Sequence, residues 1–445
     1  MKIYIISIFF TLLAAQSQDA TITIYKDGTA LIKQPINQIL KKGLNEIYWD
    51  KIPASIHYDT PFLNISEVSV LSQRYNNRLF SSADYFEKEK GNKVVIKPKG
   101  GKTITGLLME ISSSTVSVSN RDGLITYNRS ELEFLRGNKI DQIPILRSYL
   151  SWKVRSNKTG NINGEVVYKA NQFSWNTVYR LKMIDEFQGE LTAEAIVSNN
   201  TSLDYNNVRM QLVEGNLNKL KNNRTNSLNT NVAMVARNIQ DQQKMSRENL
   251  GDYHIYSLND YHNIGSKESI TVRMYGPLQV KYKKTYVFEN SERRQKEEPL
   301  EVEILLENIE DNGLGIPLPD GKVELYTISG EKGLEFIGAD KMGQVPKGQS
   351  TKIISGRSFD VIGNRKVLNY NRQRKSEEAV IEIKVTNARS KEIEVLLIEH
   401  INGDWIIKDE SSNYKKKDAS TIHFSFVLNG GETKNVYYTY RKEWN

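Results

Sequence analysis

The chain has 445 residues, a formal net charge of +8 and no cysteine. That absence excludes disulfides, thiol catalysis, cysteine metal ligands and a lipid-acceptor cysteine, so core burial alone must hold the fold. The 61 basic and 53 acidic residues are interspersed, which describes a solvated mixed-charge surface, with an anionic polymer or lipid headgroup favoured over nucleic acid as a partner.

The N-terminus, "MKIYIISIFFTLLAAQSQDA", places Lys2 before an apolar run ending at Leu13, followed by small residues. This is the order of a secretory signal peptide, with cleavage placed after Ser17 or, as the alternative, after Ala15. The run is shorter than the roughly 20 apolar residues that cross a bilayer. No second long apolar segment follows, so the mature chain is expected to have no transmembrane segment.

Next comes "ATITIYKDGTALIKQPI", which alternates apolar and polar residues around Asp27-Gly28. Period-two alternation predicts half-buried strands, and Asp-Gly predicts a hairpin turn between them. The pattern recurs in "GEVVYK", "LTAEAIVSN", "LEVEILLEN", "AVIEIKVTN", "EIEVLLIEH" and "KNVYYTYR". Strands at short intervals without regular helices predict an all-β protein of two antiparallel β-sandwich domains.

Residues 84–140 stand apart, with short strands joined at Gly100-Gly101, 112–114 and Asp122-Gly123. They predict an inserted small Sm/SH3-like five-stranded barrel, in which Gly106 permits bending where a side chain would collide. Such barrels often bind RNA or peptides; with an export signal, a spacer or contact module is the expected role. Residues 216–249 are Asn-rich at first and read as a loop, with a short surface helix an even alternative later in the stretch. The charged run "NSERRQKEEP" marks a boundary. The expected divisions are therefore a signal peptide at 1–17, an N-terminal sandwich from 18–83 and 141–295, the barrel at 84–140, and a C-terminal sandwich at 296–445.

Chemistry-bearing motifs are scarce. "NGLGIPLPDGKVELYT", residues 312–327, has the glycines of a phosphate loop. A phosphate loop needs a helix opening after them, whereas Pro317, Pro319 and Asp320-Gly321 lead into a strand pattern. A strand corner is expected. His254 and His262, near Asp252 and Asp260, match no standard zinc spacing and read as structural. Trp152, Trp175, Trp405 and Trp444 read mainly as filling between packed sheets. A glycosidase-like carboxylate pair stays open, since spacing along the chain cannot place two acids across a cleft. No catalytic, cofactor-binding or metal residue is assigned.

The stretches "SWKVRSNKTGNINGEVVYKANQFSWNTVYRLKM" and "LTAEAIVSNNTSLDYNNVRMQLVEGNLN" resemble secreted bacterial proteins of domain of unknown function 4139. The strongest likeness is an ordered series: Gly313 to Gly321, then Phe336 to Gly338, Pro346 to Gly348, and the Phe359-Asp360-Val361 triplet. The chain lacks the long coiled coil that some relatives carry and has the small barrel instead. The resemblance implies a two-sandwich extracytoplasmic protein, in the periplasm or on the surface of a bacterium, and implies no activity or cofactor. Read physically, its motifs are scaffolding: Phe336, Phe359 and Val361 are expected in the core, and Phe359→Ala is expected to cost roughly 3–5 kcal/mol. The leading expectation is a non-enzymatic envelope protein binding an unknown envelope protein or anionic polymer through sandwich edges or the barrel. The alternative is an envelope hydrolase of glycans or peptides using Asp/Glu chemistry. A third is assistance to secretion or outer-membrane assembly by strand addition.

Overall fold

A computed structural model describes residues 20–77, 79–140, 145–215, 247–250, 253–328 and 333–444. The expected signal peptide and nearly all of the Asn-rich stretch lie outside them. Among the described residues no helix is long and apolar enough to cross a membrane. The chain is nearly all β, as its alternation predicts.

The first hairpin forms where Asp27-Gly28 places it. Strands Thr21–Tyr25 and Thr29–Leu40 pair antiparallel, with Ile24 opposite Ala30. Gly28 takes φ +85°, while Asp27 Oδ1 accepts the Thr29 amide at 3.0 Å. These strands belong to a seven-stranded sheet whose central order is Tyr253–Ile264, Tyr205–Glu214, Thr21–Tyr25, Thr29–Leu40, Gly160–Asn171. It shares one core with a three-stranded sheet and with a five-stranded sheet ordered Glu268–Lys281, Gln188–Asn199, Phe173–Met183, Gly321–Ile328, Leu334–Met342. Leu191, Ala193, Ala195 and Val197 alternate inward, and Trp152 and Trp175 are buried among them. Trp444, by contrast, lies exposed beside Arg372. Among the described residues most pairings are antiparallel and three are parallel, including Thr21–Tyr25 with Tyr205–Glu214 and Phe173–Met183 with Gly321–Ile328.

The insertion is a five-stranded sheet ordered Leu132–Arg136, Lys93–Pro98, Ile104–Ile111, Thr115–Asn120, Gly123–Asn128 around its own small core. A Cβ at Gly106 would lie 2.4 Å from Val118 Cγ1; hydrogen alone fits there. The helix Ser82–Lys88 precedes the strands, and the Ser81 side chain caps the Asp84 amide.

The C-terminal core lies inside one nine-stranded sheet that curls on itself. Its outermost strands, Trp405–Glu410 and Lys415–Lys416, are neighbours in sequence, so the short link between them draws the two sheet edges together. Tyr414, in that link, packs at a tilt against Phe424, their ring centres 6.1 Å apart.

The charged run read as a boundary at 295/296 is a hairpin turn between Lys283–Ser291 and Lys296–Glu307. Both strands belong to the curled sheet, whereas the later strands Gly321–Ile328 and Leu334–Met342 return to the N-terminal core. Two long strands cross between the cores. In Lys296–Glu307, Leu300 and Val302 enter the C-terminal core, while Ile304 and Leu306 enter the N-terminal one. A solvated turn and a linker have the same composition, and only strand pairing separates them.

The motif phenylalanines require correction. Val361 is buried, but Phe336 is 58% exposed and Phe359 is 89% exposed. Pairing between Ser350–Arg372 and Lys296–Glu307 runs from Arg357 opposite Glu301 to Ile362 opposite Pro299, so residues 358–361 face only Leu300. That irregularity breaks the alternation which would have put Phe359 and Val361 on one face. Phe336 instead packs against Tyr326, with ring centres 5.7 Å apart.

Candidate functional site

The glycines of residues 312–327 form a corner. A single 3-10 turn, Glu310–Asn312, precedes Gly313, and both Gly313 and Gly315 take φ near +80°. A Cβ on Gly313 would sit 1.8 Å from the Gln279 carbonyl oxygen. The hub is the wholly buried Asn308, whose Oδ1 accepts the amides of Gly315 and Ile316 while Nδ2 donates to the carbonyls of Ile316, Val345 and Pro346. No helix N-terminus opens after the glycines.

The sequence repeats this device. Asn199 and Asn387 likewise end strands, are wholly buried, and use Oδ1 to accept a nearby amide. Their Nδ2 groups donate to loop carbonyls. Asn290, the residue before the end of strand Lys283–Ser291, is also buried but differs. It is 3% exposed and its Oδ1 has no hydrogen-bond partner.

Asn290 lines a polar hollow of about 340 Å³, shared with Glu289, Arg294, Lys296, Glu298, Glu301, Arg357 and His400. His400 Nε2 lies 2.7 Å from Glu289 Oε1, and its Nδ1 lies 3.1 Å from the Thr421 hydroxyl. Arg357 meets Glu298 at 2.9 Å. The hydrogen bond from Lys296, aided by Arg357, holds the Glu298 carboxyl below the usual range. Arg294 and Glu301 have no charged or hydrogen-bonding side-chain partner among the described residues.

Beneath the hollow the interior of the curled sheet turns polar. Arg365 donates to both carboxylate oxygens of Glu399 and, at 2.6 Å, to the Arg294 carbonyl. Tyr438 donates its hydroxyl to Glu399, and burial raises its pKa well above the ordinary value. A second string joins Tyr370 and Tyr440 to Glu377, which lies beside Lys442. Lys442 reaches Glu292. Burial alone would raise Glu292, but the Lys442 hydrogen bond and the Asn402 amide outweigh it and hold the carboxyl below the usual range. Such a buried polar cluster gives no clear stability advantage over apolar packing, and perturbed ionisable groups gather at functional sites.

A third cluster sits where the seven- and five-stranded sheets meet. Lys26 Nζ lies 3.8 Å from the Trp175 ring centre, 2.7 Å from Asp320 and 3.3 Å from Glu214. Burial raises the Glu214 pKa against the opposing Lys26 charge. A raised carboxyl beside a second acid is the pattern that the hydrolase alternative needs. Here, however, the ammonium of Lys26 is clasped by both acids.

The histidines singled out in the sequence are not brought together. His254 and His262 lie on one strand, Tyr253–Ile264, and eight residues of strand separate them by about 26 Å. Asp252 lies outside the described residues, and Asp260 is exposed. His400, which the sequence did not mark out, is the histidine at the hollow; its signal depends on Glu289, more than a hundred positions away.

The chain matches no family model and no curated protein.

A last feature is apolar and exposed. Leu334–Met342 is the edge strand of the five-stranded sheet. Its first half displays Leu334, Phe336 and Ile337, and Ile328 opposite Leu334 is exposed too. Its second half leans on Ser350–Arg372, where the Ile354 amide donates to Asp340 at 2.7 Å. Phe359 stands farther along that neighbouring strand.

Proposed function

We propose that this chain is a non-enzymatic exported protein of the bacterial envelope that binds a protein partner or an envelope polymer. The observation carrying the proposal is the apolar edge formed by Ile328, Leu334, Phe336 and Ile337. Exposed apolar residues clustered along one strand mark interaction surfaces, and an edge strand offers backbone groups for pairing with an added strand. Interspersed exposed residues need no such explanation; several in succession do.

The ordered motifs from Gly313 to Val361 support membership of the domain of unknown function 4139 family, and the N-terminal segment supports export.

A photo-crosslinking residue placed at Phe336 in intact cells tests the reading. The expected outcome is a discrete crosslinked envelope component, absent when the same residue replaces exposed Lys375. Identical products from both positions would reject a binding edge.

A further inference from the structure

We propose that the outer face of the three-stranded sheet binds an acidic polysaccharide, a linear chain of sugars carrying carboxylate groups. Strand register assembles this face. Its strands are Gly43–Trp49, Tyr149–Ser156 and Val68–Asn76, in that spatial order. Leu150, Trp152 and Val154 of the middle strand enter the core, so Tyr149, Ser151, Lys153 and Arg155 point away from it. Pairing sets Tyr48 and Arg74 on either side of Ser151, Glu46 and Ser72 beside Lys153, and Leu44 and Ser69 beside Arg155.

The cations on this face form a line. Arg74, Lys153 and Arg155 are exposed, and among the described residues none of the three has an ion-pair partner. Lys153 and Arg155 leave the strand about 6.6 Å apart, and Arg74 lies diagonally across from Lys153, about 7–8 Å away. Nearly equal steps along one direction suit a chain of repeated charges better than a single small anion, which needs its donors to converge. The one acid among these outward residues, Glu46, reaches the Tyr48 hydroxyl. At the Arg155 end, the turn carrying exposed Lys41 and Lys42 is pinned to its neighbour, the Lys42 amide donating to Thr159 Oγ1 at 2.9 Å. That turn extends the positive charge to the rim of the sheet.

Charge alone would suit any polyanion; the neighbouring side chains favour a sugar chain. Tyr48 is 57% exposed and its ring lies 5.9 Å from that of Tyr149. The Arg74 end of the line therefore has an aromatic flank on which the apolar C–H face of a sugar ring packs. Ser151, Ser72 and Ser69 place short side chains between and beside the cations, which leaves room for a chain and offers hydroxyl partners to its own hydroxyls. The face is held independently of any ligand: Trp152 Nε1 donates to Gln73 at 2.6 Å, and Asn76 Nδ2 donates to the Tyr149 hydroxyl at 3.1 Å. A preorganised surface loses less entropy on binding. This is a second surface, since the apolar edge belongs to the five-stranded sheet.

Titration calorimetry with the full mature chain supplies the test. The probe is polygalacturonate, compared with dextran as an uncharged sugar chain and polyglutamate as a charged chain without sugars. Saturable binding of polygalacturonate is expected, weakened about tenfold or more when salt rises from about 0.05 M to about 0.5 M. Dextran is expected not to bind, and polyglutamate to bind more weakly. Joint replacement Lys153→Gln and Arg155→Gln is expected to weaken polygalacturonate binding by about tenfold. The same charge loss through Arg374→Gln and Lys375→Gln, exposed residues of the curled sheet, is expected to change it little. Tyr48→Ala is expected to weaken polygalacturonate and leave polyglutamate unchanged. All five positions are exposed, so unchanged melting temperatures are expected to show that the variants fold. Absence of saturable binding, equal binding of polyglutamate or dextran, or equal losses from the two charge-removing pairs would overturn the inference. Failure here leaves the crosslinking result at Phe336 intact, so the two readings fail separately.

Discussion

Arg365 and Glu399 face one another inside the curled sheet, with Nη2 and Nε respectively 2.8 and 2.9 Å from the same carboxylate oxygen. Both side chains are wholly withdrawn from water. Burial would weaken the arginine's hold on its proton, but the charge of Glu399 and the hydrogen bonds to Glu399 and Tyr438 outweigh it and raise the pKa. The pair spans strands 34 positions apart, and Tyr438 closes it from a third strand.

Breaking this pair from one side strands a buried charge. Glu399→Gln is expected to destabilise the protein by roughly 3–5 kcal/mol, whereas joint replacement of Arg365 by Met and Glu399 by Leu should recover much of that loss. Urea denaturation of both variants measures the difference. A double variant as unstable as the single one would mean that the network stabilises through more than charge pairing.

Val361 and Phe359 sit two positions apart with opposite surroundings. Val361→Ala should cost about 2 kcal/mol, from the lost methyl groups and the cavity they leave. Phe359→Ala should leave the melting temperature nearly unchanged, because the ring is exposed. A large drop for Phe359→Ala would restore the burial expected from its motif.

Glu214 gives the pH dependence its sign. Burial raises its pKa in the folded chain above the ordinary carboxyl value of 4.5, so the folded state binds this proton more tightly than the unfolded state does. The associated stability is fully present below the unfolded pKa and is lost as pH rises through the folded one. Glu214→Gln removes that dependence. Its stability relative to the parent should therefore improve on going from about pH 4 to about pH 7, as read from denaturation midpoints at the two ends. A relative loss over that interval would contradict the raised value.

The barrel should come away cleanly. Asn76 pairs with Tyr149 across neighbouring strands, so the insertion enters and leaves at one place. Replacing residues 77–148 by a short glycine-serine linker should leave a protein that melts cooperatively with its β-sheet circular dichroism retained. The barrel's separate core around Val94, Ile96, Leu108, Val116 and Val118 is the reason. A non-cooperative melt would show that the two parts share stability.

Much of the fold is written locally. Asp27-Gly28 specifies a hairpin because few residues accept the left-handed turn, and the tight turns of the barrel follow the same rule. The corner at Gly313 is legible in the same way, since Asp320-Gly321 turns the chain into an alternating strand pattern and no helical pattern follows the glycines to hold a phosphate. Period-two alternation then identifies strands, since neighbouring side chains point to opposite faces.

What the chain could not announce are relations between distant strands. Alternation puts Phe359 and Val361 on one face; a slip in pairing with Lys296–Glu307 separates them. Four buried asparagines at or beside strand ends look alike in sequence, yet Asn199, Asn308 and Asn387 find amides for Oδ1 and Asn290 does not. By itself, then, the order of residues determined strand content, turns and the separate character of the barrel, because those depend on neighbours a few bonds away. Tertiary structure decided which strands cross between the two large cores, which aromatic rings face water, and which charges gather around the hollow. Those outcomes depend on pairing register and on burial, and both are set by segments that meet only after the chain has folded.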